Sequence, residues 1–140
     1  MKRILPLATL LALLPFALFA SSCGGDDDDS PPIQLQQTDR DRITDIAETY
    51  VDALQTRDMT TAKDMLIEGV PEATINKAMD TVRDEGFRLV SIGDVSVDGT
   101  NVEVLVALTD KDYRSVTRKL EFRQDSGEWV VYSPHLKPLS

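Results

Sequence analysis

The apolar residues that follow position 42 recur with the period of an α-helix. They occupy positions i, i+3, i+4, i+7, i+8 and i+11, which share one helical face: Ile43, Ile46, Ala47, Tyr50, Val51 and Leu54. We predict that this first helix begins at a capping pattern formed by Thr38 and Asp41 and ends near Arg57 and Asp58. A single apolar stripe of this kind is typical of a helix that buries one face.

Two shorter helical patterns follow the first. We predict a second helix that is capped by Thr60 and ended by Gly69, with Ala62, Met65 and Leu66 on its apolar face. A third helix is predicted to have Pro71 at its first position and to stop at Gly86. Three helices are therefore expected before the period changes.

Beyond Gly86 the apolar period shortens to two, which is typical of β-strands. Asp98 and Gly99 form a strong hairpin signal between a first strand, bent around Gly93, and a second strand that is expected to be central. The apolar positions of the successive strands are Val90, Ile92, Val95 and Val97; Val102, Val104, Val106 and Leu108; Val116, Leu120 and Phe122; and a last strand over 128–132. Helices followed by an antiparallel meander predict an α+β domain with the helices packed on one face of the sheet.

The first 22 residues have the order of a signal peptide. A basic start at Lys2 and Arg3 precedes a predominantly apolar stretch of 17 residues that is broken by Pro6 and Pro15. Ser21 and Ser22 then lead into Cys23, the single cysteine of the chain. This arrangement resembles the lipobox of bacterial lipoproteins, which implies that Cys23 is acylated, palmitate included, and becomes the first mature residue. The alternatives are ordinary secretory cleavage near Ala20 and a retained transmembrane helix, for which about 20 apolar residues are normally needed.

Residues 23–37 are predicted to be an acidic, proline-containing flexible tether. Asp26 to Asp29 form a run of four like charges before Pro31 and Pro32, and such a segment buries too little apolar surface to fold. A calcium site at this run is the alternative, but neighbouring residues of an extended chain point in opposite directions. An acidic run after a lipidated cysteine also resembles the export signal of some lipoproteins of the Bacteroidetes. We therefore expect a lipid-anchored, extracytoplasmic protein of the cell envelope, on the outer membrane or cell surface if the host has two membranes.

The net charge of the chain excludes some classes of binding partner. The chain has 24 acidic and 15 basic residues and a formal charge of −9, and without Lys2 and Arg3 the charge becomes −11. A surface of this sign opposes phosphate backbones, so nucleic acid is not expected as a partner. No metal or cofactor is expected either, because the chain has one His, a Cys assigned to acylation and no glycine-rich phosphate loop.

The pattern of residues 50–58, together with the closing hairpin of residues 120–131, resembles the nuclear transport factor 2-like (cystatin-like) superfamily. Within it, the chain is similar to bacterial secreted proteins and lipoproteins of unknown function, over Thr38 to Ser133. The resemblance implies that residues 38–140 form a cone-shaped half-barrel sheet wrapped on helices, often with a pocket at its open end. The superfamily includes dehydratases, isomerases, cyclases and non-catalytic binding modules, so the resemblance does not select a function.

Few side chains of the chain are suited to catalysis or ligand binding. His135 lies in a proline-flanked tail and is expected to be solvated. Arg118 shares the strand parity of the apolar residues around it; if buried, it needs Asp52 or Asp58 as a partner, and otherwise it extends its stem over apolar surface with its head in water. Tyr50, Arg118 and Trp129 are the predicted ligand contacts, with plain core packing as the alternative for the aromatic residues.

The predicted function is that of a membrane-anchored accessory domain that binds an envelope protein or a small apolar ligand and does not catalyse a reaction. One alternative is a small-molecule isomerase or dehydratase that uses an Asp–Tyr pair inside the cone. Another is a structural or dimerisation module of the envelope.

Overall fold

The structure, a computed structural model, describes residues 33–140, which form three helices and a five-stranded antiparallel sheet. The elements are α1 (Gln37–Thr56), α2 (Met59–Met65), α3 (Glu72–Glu85), β1 (Arg88–Asp98), β2 (Asn101–Thr109), β3 (Ser115–Asp125), β4 (Glu128–Val131) and β5 (Lys137–Pro138). The predicted signal peptide, the lipidated Cys23 and the acidic run lie outside the described residues. The α+β prediction, with the helices packed on a curved, unclosed antiparallel sheet, is confirmed.

The start of α1 differs from the prediction. The backbone N–H of Gln36 donates to Asp39 Oδ2 at 3.1 Å, so the cap uses these residues rather than Thr38 and Asp41. The other oxygen of Asp39 accepts a hydrogen bond from Trp129 Nε1 at 3.1 Å, across 90 residues of sequence. A capping pattern is local and contains no information on this distant contact, which explains why the predicted cap is wrong.

The segment just before α1 belongs to the domain. Ile33 and Leu35 are half-buried and pack against the core, although both residues fall within the predicted tether of 23–37. The last residues of that segment therefore continue the apolar contacts of α1.

The shorter helices are present as predicted, but their caps are shifted and α2 ends early. α2 stops at Met65, and Leu66 is already extended, so Gly69 does not end the helix as predicted. Asp58 rather than Thr60 caps α2, because its carboxylate accepts hydrogen bonds from the backbone N–H and the hydroxyl of Thr61 at 3.1 and 2.7 Å. Pro71 occupies the cap position of α3, one residue before the helix begins. At the other end, Gly86 adopts a left-handed φ of 64° and terminates α3 as predicted.

The strands are ordered β1-β2-β3-β4, which confirms a central β2. The Asp98–Gly99 turn pairs Asp98 with Asn101. Two register shifts, between Leu89 and Ser91 and between Ile92 and Val95, bend β1 as the glycine pattern predicted. The carbonyl of Val95, next to the second shift, accepts a 2.6 Å hydrogen bond from Arg40 of α1, which fixes the edge strand to the helix.

The core lies between the helices and the inner face of the sheet. Within residues 33–140 it consists of 22 buried apolar residues, and no aspartate, glutamate, lysine or arginine is buried. The four apolar positions of β2 are at most 1% exposed, which confirms the alternation read from the sequence. On the outer face, Lys119 forms a 2.8 Å ion pair with Glu103, and Lys137 forms one of 2.6 Å with Glu121.

The C-terminal segment is not the solvated tail that the sequence suggested. β5 pairs with β3 at Arg118 and Lys119, beyond the end of β4, and residues 133–136 form a loop between the two pairings. Pro134 in this loop is buried and His135 is half-buried. The sequence did not predict the two-residue strand β5, because proline, here at positions 134 and 138, usually marks the end of regular structure.

Candidate binding groove

Tyr50, one of the three predicted ligand contacts, lies in the centre of the core. α1 directs its ring between the helices and the sheet, where the side chain is fully buried. Its hydroxyl donates to the carbonyl oxygen of Pro134 at 2.8 Å. Burial raises the pKa of this phenol above its ordinary value of 10.0, so the hydroxyl stays protonated and serves as a donor.

Trp129 is also held by contacts within the domain. β4 places its indole ring at the N-terminal end of α1, where 6% of the residue remains exposed and the ring N–H binds Asp39. One edge of the ring lines a surface cavity of about 330 Å³ together with Ile33, Thr100, Arg123 and Gln124. The residue therefore anchors the chain that precedes α1.

Arg118 points to the inner side of β3, as its strand parity predicts, but it forms no ion pair within residues 33–140. Its guanidinium lies over the ring of Phe87, 5.3 Å from the ring centre, and remains partly exposed. The expected partner Asp58 instead caps α2. Arg118 thus covers apolar surface with its stem and keeps its charge in water, which is the second of the two arrangements considered from the sequence.

The three predicted residues do not form one site. In the described part of the chain, each has its polar group engaged by a different element: the C-terminal loop for Tyr50, α1 for Trp129 and Phe87 for Arg118. The 22 core side chains lie between the helices and the sheet. An open volume lies at the surface, beside the connection from α2 to α3.

This α2–α3 groove has a volume of about 450 Å³ and is lined by Lys63, Asp64, Leu66, Ile67, Glu68, Gly69, Val70 and Ile75. Leu66 and Ile75 form a buried floor, whereas Ile67 and Val70 are half-exposed walls. The volume lies within the range of about 300–1,000 Å³ that is usual for small-molecule sites. Apolar lining with charged residues at the edge is also usual for such sites.

Backbone contacts give the groove a fixed shape. The N–H of Ile67 donates to the carbonyl oxygen of Val131 at 3.0 Å, and Leu66 forms an isolated parallel bridge with the same residue. Gly69 reverses the chain with a φ of 86° and leaves open space where a Cβ would stand. At the rim, Lys63 of α2 is paired with Glu72 of α3 at 2.9 Å.

Sequence reasoning missed the groove because its lining comes from a connection rather than from a periodic segment. The available signal was the apolar pair Ile67 and Val70 on either side of Glu68 and Gly69, where a connection between helices is normally polar. Such residues are expected either to pack or to form a binding surface. Their exposure follows from the bridge to Val131, which no local pattern contains.

The titratable groups with shifted pKa values lie outside the groove. Hydrogen bonds from Thr61 lower the pKa of Asp58, the Arg57 hydrogen bond lowers that of Asp80, and the backbone N–H of Arg114 lowers that of Asp110. Within residues 33–140, no three His, Cys, Asp or Glu side chains are grouped closely enough to hold a metal ion. In the same part of the chain, no helix has the length and apolarity needed to cross a membrane.

The chain was compared with known proteins. It matches none of the protein families, and a comparison with curated proteins gives no match either. Among solved structures it is similar to a de novo designed NTF2 fold protein, NT-9, with 18% sequence identity and a TM-score of 0.46 over 67% of this chain and 84% of the designed chain. The α+β architecture stated above follows from the observed elements themselves.

Proposed function

We propose that this protein is a lipid-anchored, extracytoplasmic binding module of the NTF2-like type, as expected of a bacterial lipoprotein, and that it holds a small apolar molecule in the α2–α3 groove without catalysing a reaction. The observation that carries the proposal is an open groove at the surface with an apolar floor. The groove offers about 450 Å³ above Leu66 and Ile75, which are buried.

The surroundings of Tyr50 bear on the isomerase or dehydratase alternative. A catalytic Asp–Tyr pair needs an aspartate beside the phenol and a pKa near the working pH. No aspartate is buried within residues 33–140, and burial moves the pKa of Tyr50 away from neutrality. No specific observation therefore favours the isomerase or dehydratase alternative.

The binding role can be tested with the neutral dye Nile red and the chain from residue 24 to 140, which retains every residue of the core. We expect saturable binding of one dye per chain. Ile67→Glu places a charge on the groove wall and is expected to weaken binding about tenfold or more, because a charge is costly beside a desolvated apolar ligand. Val90→Glu is the matched control, since Val90 is 63% exposed on β1 and does not line the groove.

Equal binding by the two glutamate variants, or no saturable binding by the original chain, would contradict a ligand site in the groove. Thermal unfolding of both variants checks that the fold is intact. Ile67 is suited to this test because its structural contact with Val131 is made by the backbone.

The anchor requires a separate experiment on the full chain. Acyl groups on Cys23 are expected to appear in the mass of the N-terminal peptide and to hold the protein in the membrane fraction. Cys23→Ser is expected to move the protein to the soluble fraction. An unchanged distribution and mass would contradict lipidation and leave the groove test unaffected.

A further inference from the structure

The turn between β2 and β3 presents an exposed aromatic side chain. Tyr113 is 80% exposed, more than the other large apolar residues of the described chain. Its φ of 59° is left-handed, which is unfavourable for a residue with a bulky side chain. Residues in such conformations persist only where their surroundings hold them.

Hydrogen bonds fix the backbone of the turn that carries Tyr113. The carboxylate of Asp110 accepts hydrogen bonds from the backbone N–H groups of Asp112 and Arg114 at 2.9 and 3.0 Å and from Arg114 Nε at 3.1 Å. The N–H of Lys111 donates to the carbonyl of Glu85 at the end of α3, at 2.9 Å. The aromatic ring is therefore presented on a preorganised turn, which lowers the entropic cost of binding.

Two cationic side chains without an ion pair within residues 33–140 lie beside the ring of Tyr113. A small cleft of about 160 Å³ between this turn and the start of β1 is lined by Gly86, Arg88, Asp110, Lys111 and Tyr113; we call it the turn cleft. The side chains of Arg88 and Lys111 are exposed and form no ion pair or hydrogen bond within residues 33–140. The carboxylate of Asp110, by contrast, is already occupied by Arg114 and the turn backbone.

We propose that the turn cleft binds an acidic segment of a partner protein, with carboxylates at Arg88 and Lys111 and the segment packed on Tyr113. Charge complementarity within the cleft supports this occupant, because Arg88 and Lys111 face solvent and form no ion pair within residues 33–140. The formal charge of −9 opposes acidic segments over the rest of the chain, so these two cations are what would draw one to the cleft. Tyr and Arg are also the residues that most often dominate protein interfaces. A cleft of 160 Å³ suits single side chains of a segment rather than a whole small molecule.

The acidic run of the same chain is too far away to be this segment. Ile33 lies with Thr100 and Trp129 at the sheet end formed by the β1–β2 and β3–β4 turns, whereas Tyr113 lies at the opposite end. The nine residues of β2 separate these ends by roughly 30 Å at about 3.3 Å per residue. Asp29 reaches at most about 14 Å from Ile33 and Asp26 at most about 25 Å, so the whole acidic run falls short of this separation.

The turn cleft is a second site and goes beyond the proposed function, because its position and its occupant differ from those of the α2–α3 groove. A partner would meet the end of the domain opposite to the one where the chain leads back to Cys23. This placement leaves the cleft accessible in an anchored protein.

The probe for the test is a hexaglutamate peptide, titrated into ¹⁵N-labelled chain 24–140 at low salt. We expect chemical-shift changes at the amides of residues 86–88 and 110–114. The double variant R88E/K111E is expected to weaken binding about tenfold or more, and Tyr113→Ala several-fold. R42E/K77E is the matched control, since it changes the net charge equally at two exposed positions outside the cleft.

The proposal is overturned if the two double variants lose affinity equally, because net charge alone would then explain the binding. Shift changes located elsewhere on the domain would also overturn it. Light scattering supplies a further outcome: a concentration-dependent dimer that disappears when Asp26 to Asp29 become Asn would assign the cleft to a second copy instead. If R88E/K111E does not fold, Tyr113→Ala decides, because a side chain that is 80% exposed contributes little to the core.

Discussion

The hydroxyl of Tyr50 in α1 donates a 2.8 Å hydrogen bond to the carbonyl oxygen of Pro134, 84 residues later in the chain. This bond holds the loop of residues 133–136, which leaves the edge of β3 after Tyr132 and returns to it at Lys137. A backbone carbonyl turned toward the core needs a donor, and the phenol supplies it. The first helix thereby fixes the path of the C-terminal segment.

Replacing Tyr50 with Phe keeps the ring and removes this donor. We expect the free energy of unfolding to fall by about 1–3 kcal/mol, because the carbonyl of Pro134 becomes a buried acceptor without a partner. Urea unfolding of chain 24–140 measures the change. Tyr113→Phe removes the same atom from a side chain that is 80% exposed and is expected to have almost no effect, so equal losses in the two variants would contradict this explanation.

The carboxylate of Asp39 makes two contacts, one that caps α1 and one that binds the indole ring of Trp129. One oxygen caps α1 through the N–H of Gln36, and the other binds the indole N–H of Trp129. We expect Asp39→Ala to cost about 1–2 kcal/mol of unfolding free energy, because the helix cap and the contact between α1 and β4 are lost together. Asp45→Ala, an exposed carboxylate on the same helix, is the control and is expected to change stability by less than about 0.5 kcal/mol.

The shared role of Asp39 can be resolved by a double-mutant cycle with Trp129→Phe. Because the indole N–H binds Asp39, the separate losses of Asp39→Ala and Trp129→Phe are expected to add up to more than the loss in the double variant. Strict additivity would show that the carboxylate acts only as a cap.

The helices and strands could be predicted from sequence because each one repeats its apolar residues with a clear period. Ile43 to Leu54 lie along one face of α1, and Val102 to Leu108 alternate along β2. The C-terminal strand could not be predicted, because β5 is two residues long and ends in a proline. Its position depends on the pairing of Lys137 with Lys119 and on the bond from Tyr50, and both are contacts distant in sequence.

The candidate sites were harder to predict for a related reason. The residues expected to bind a ligand, Tyr50, Arg118 and Trp129, stand in periodic segments, and such residues mostly serve the packing of their own elements. The α2–α3 groove and the turn cleft are instead formed by connections. In both, a residue with positive φ, Gly69 or Tyr113, lies beside side chains brought together by contacts with another element.

Alanine substitutions at Gly86 and Gly69 distinguish the cost of an unfavourable backbone conformation from the cost of a steric clash. Both have positive φ, 64° and 86°, but a Cβ on Gly86 would lie 2.8 Å from the Cβ of Lys111 and 3.0 Å from its Cα, whereas a Cβ on Gly69 would meet nothing within 4 Å. We expect Gly69→Ala to cost about 1 kcal/mol through its conformation alone. Gly86→Ala is expected to cost about 2–4 kcal/mol, because the backbone of Lys111 must also move.

Chemical unfolding of the two alanine variants gives the comparison directly. Equal losses would mean that the contact between α3 and the β2–β3 turn yields easily. A larger loss at Gly86 would show that this contact is rigid, and it should be accompanied by shifted amide signals at residues 110–114.

His135 is expected to make the stability of the fold depend on pH between about 7 and 5. Partial burial, followed by the charges of Lys77 and Lys137, lowers the pKa of His135 below its ordinary value of 6.5. The unfolded chain therefore takes up a proton first as the pH falls, so that stability is lost from about pH 6.5 downward through the lower folded-state pKa. The carboxylates with shifted pKa values, Asp58, Asp80 and Asp110, titrate below 3.8 and do not contribute in this interval.

The measurement is the free energy of unfolding at pH 7.5 and at pH 5.5 for the original chain and for His135→Gln. Glutamine retains a polar side chain that does not titrate, so the variant is expected to lose most of the pH dependence in this range. The same decrease in both proteins would show that His135 is not its source. An increase in stability on acidification, confined to the original chain, would mean that the folded protein stabilises the charged imidazole.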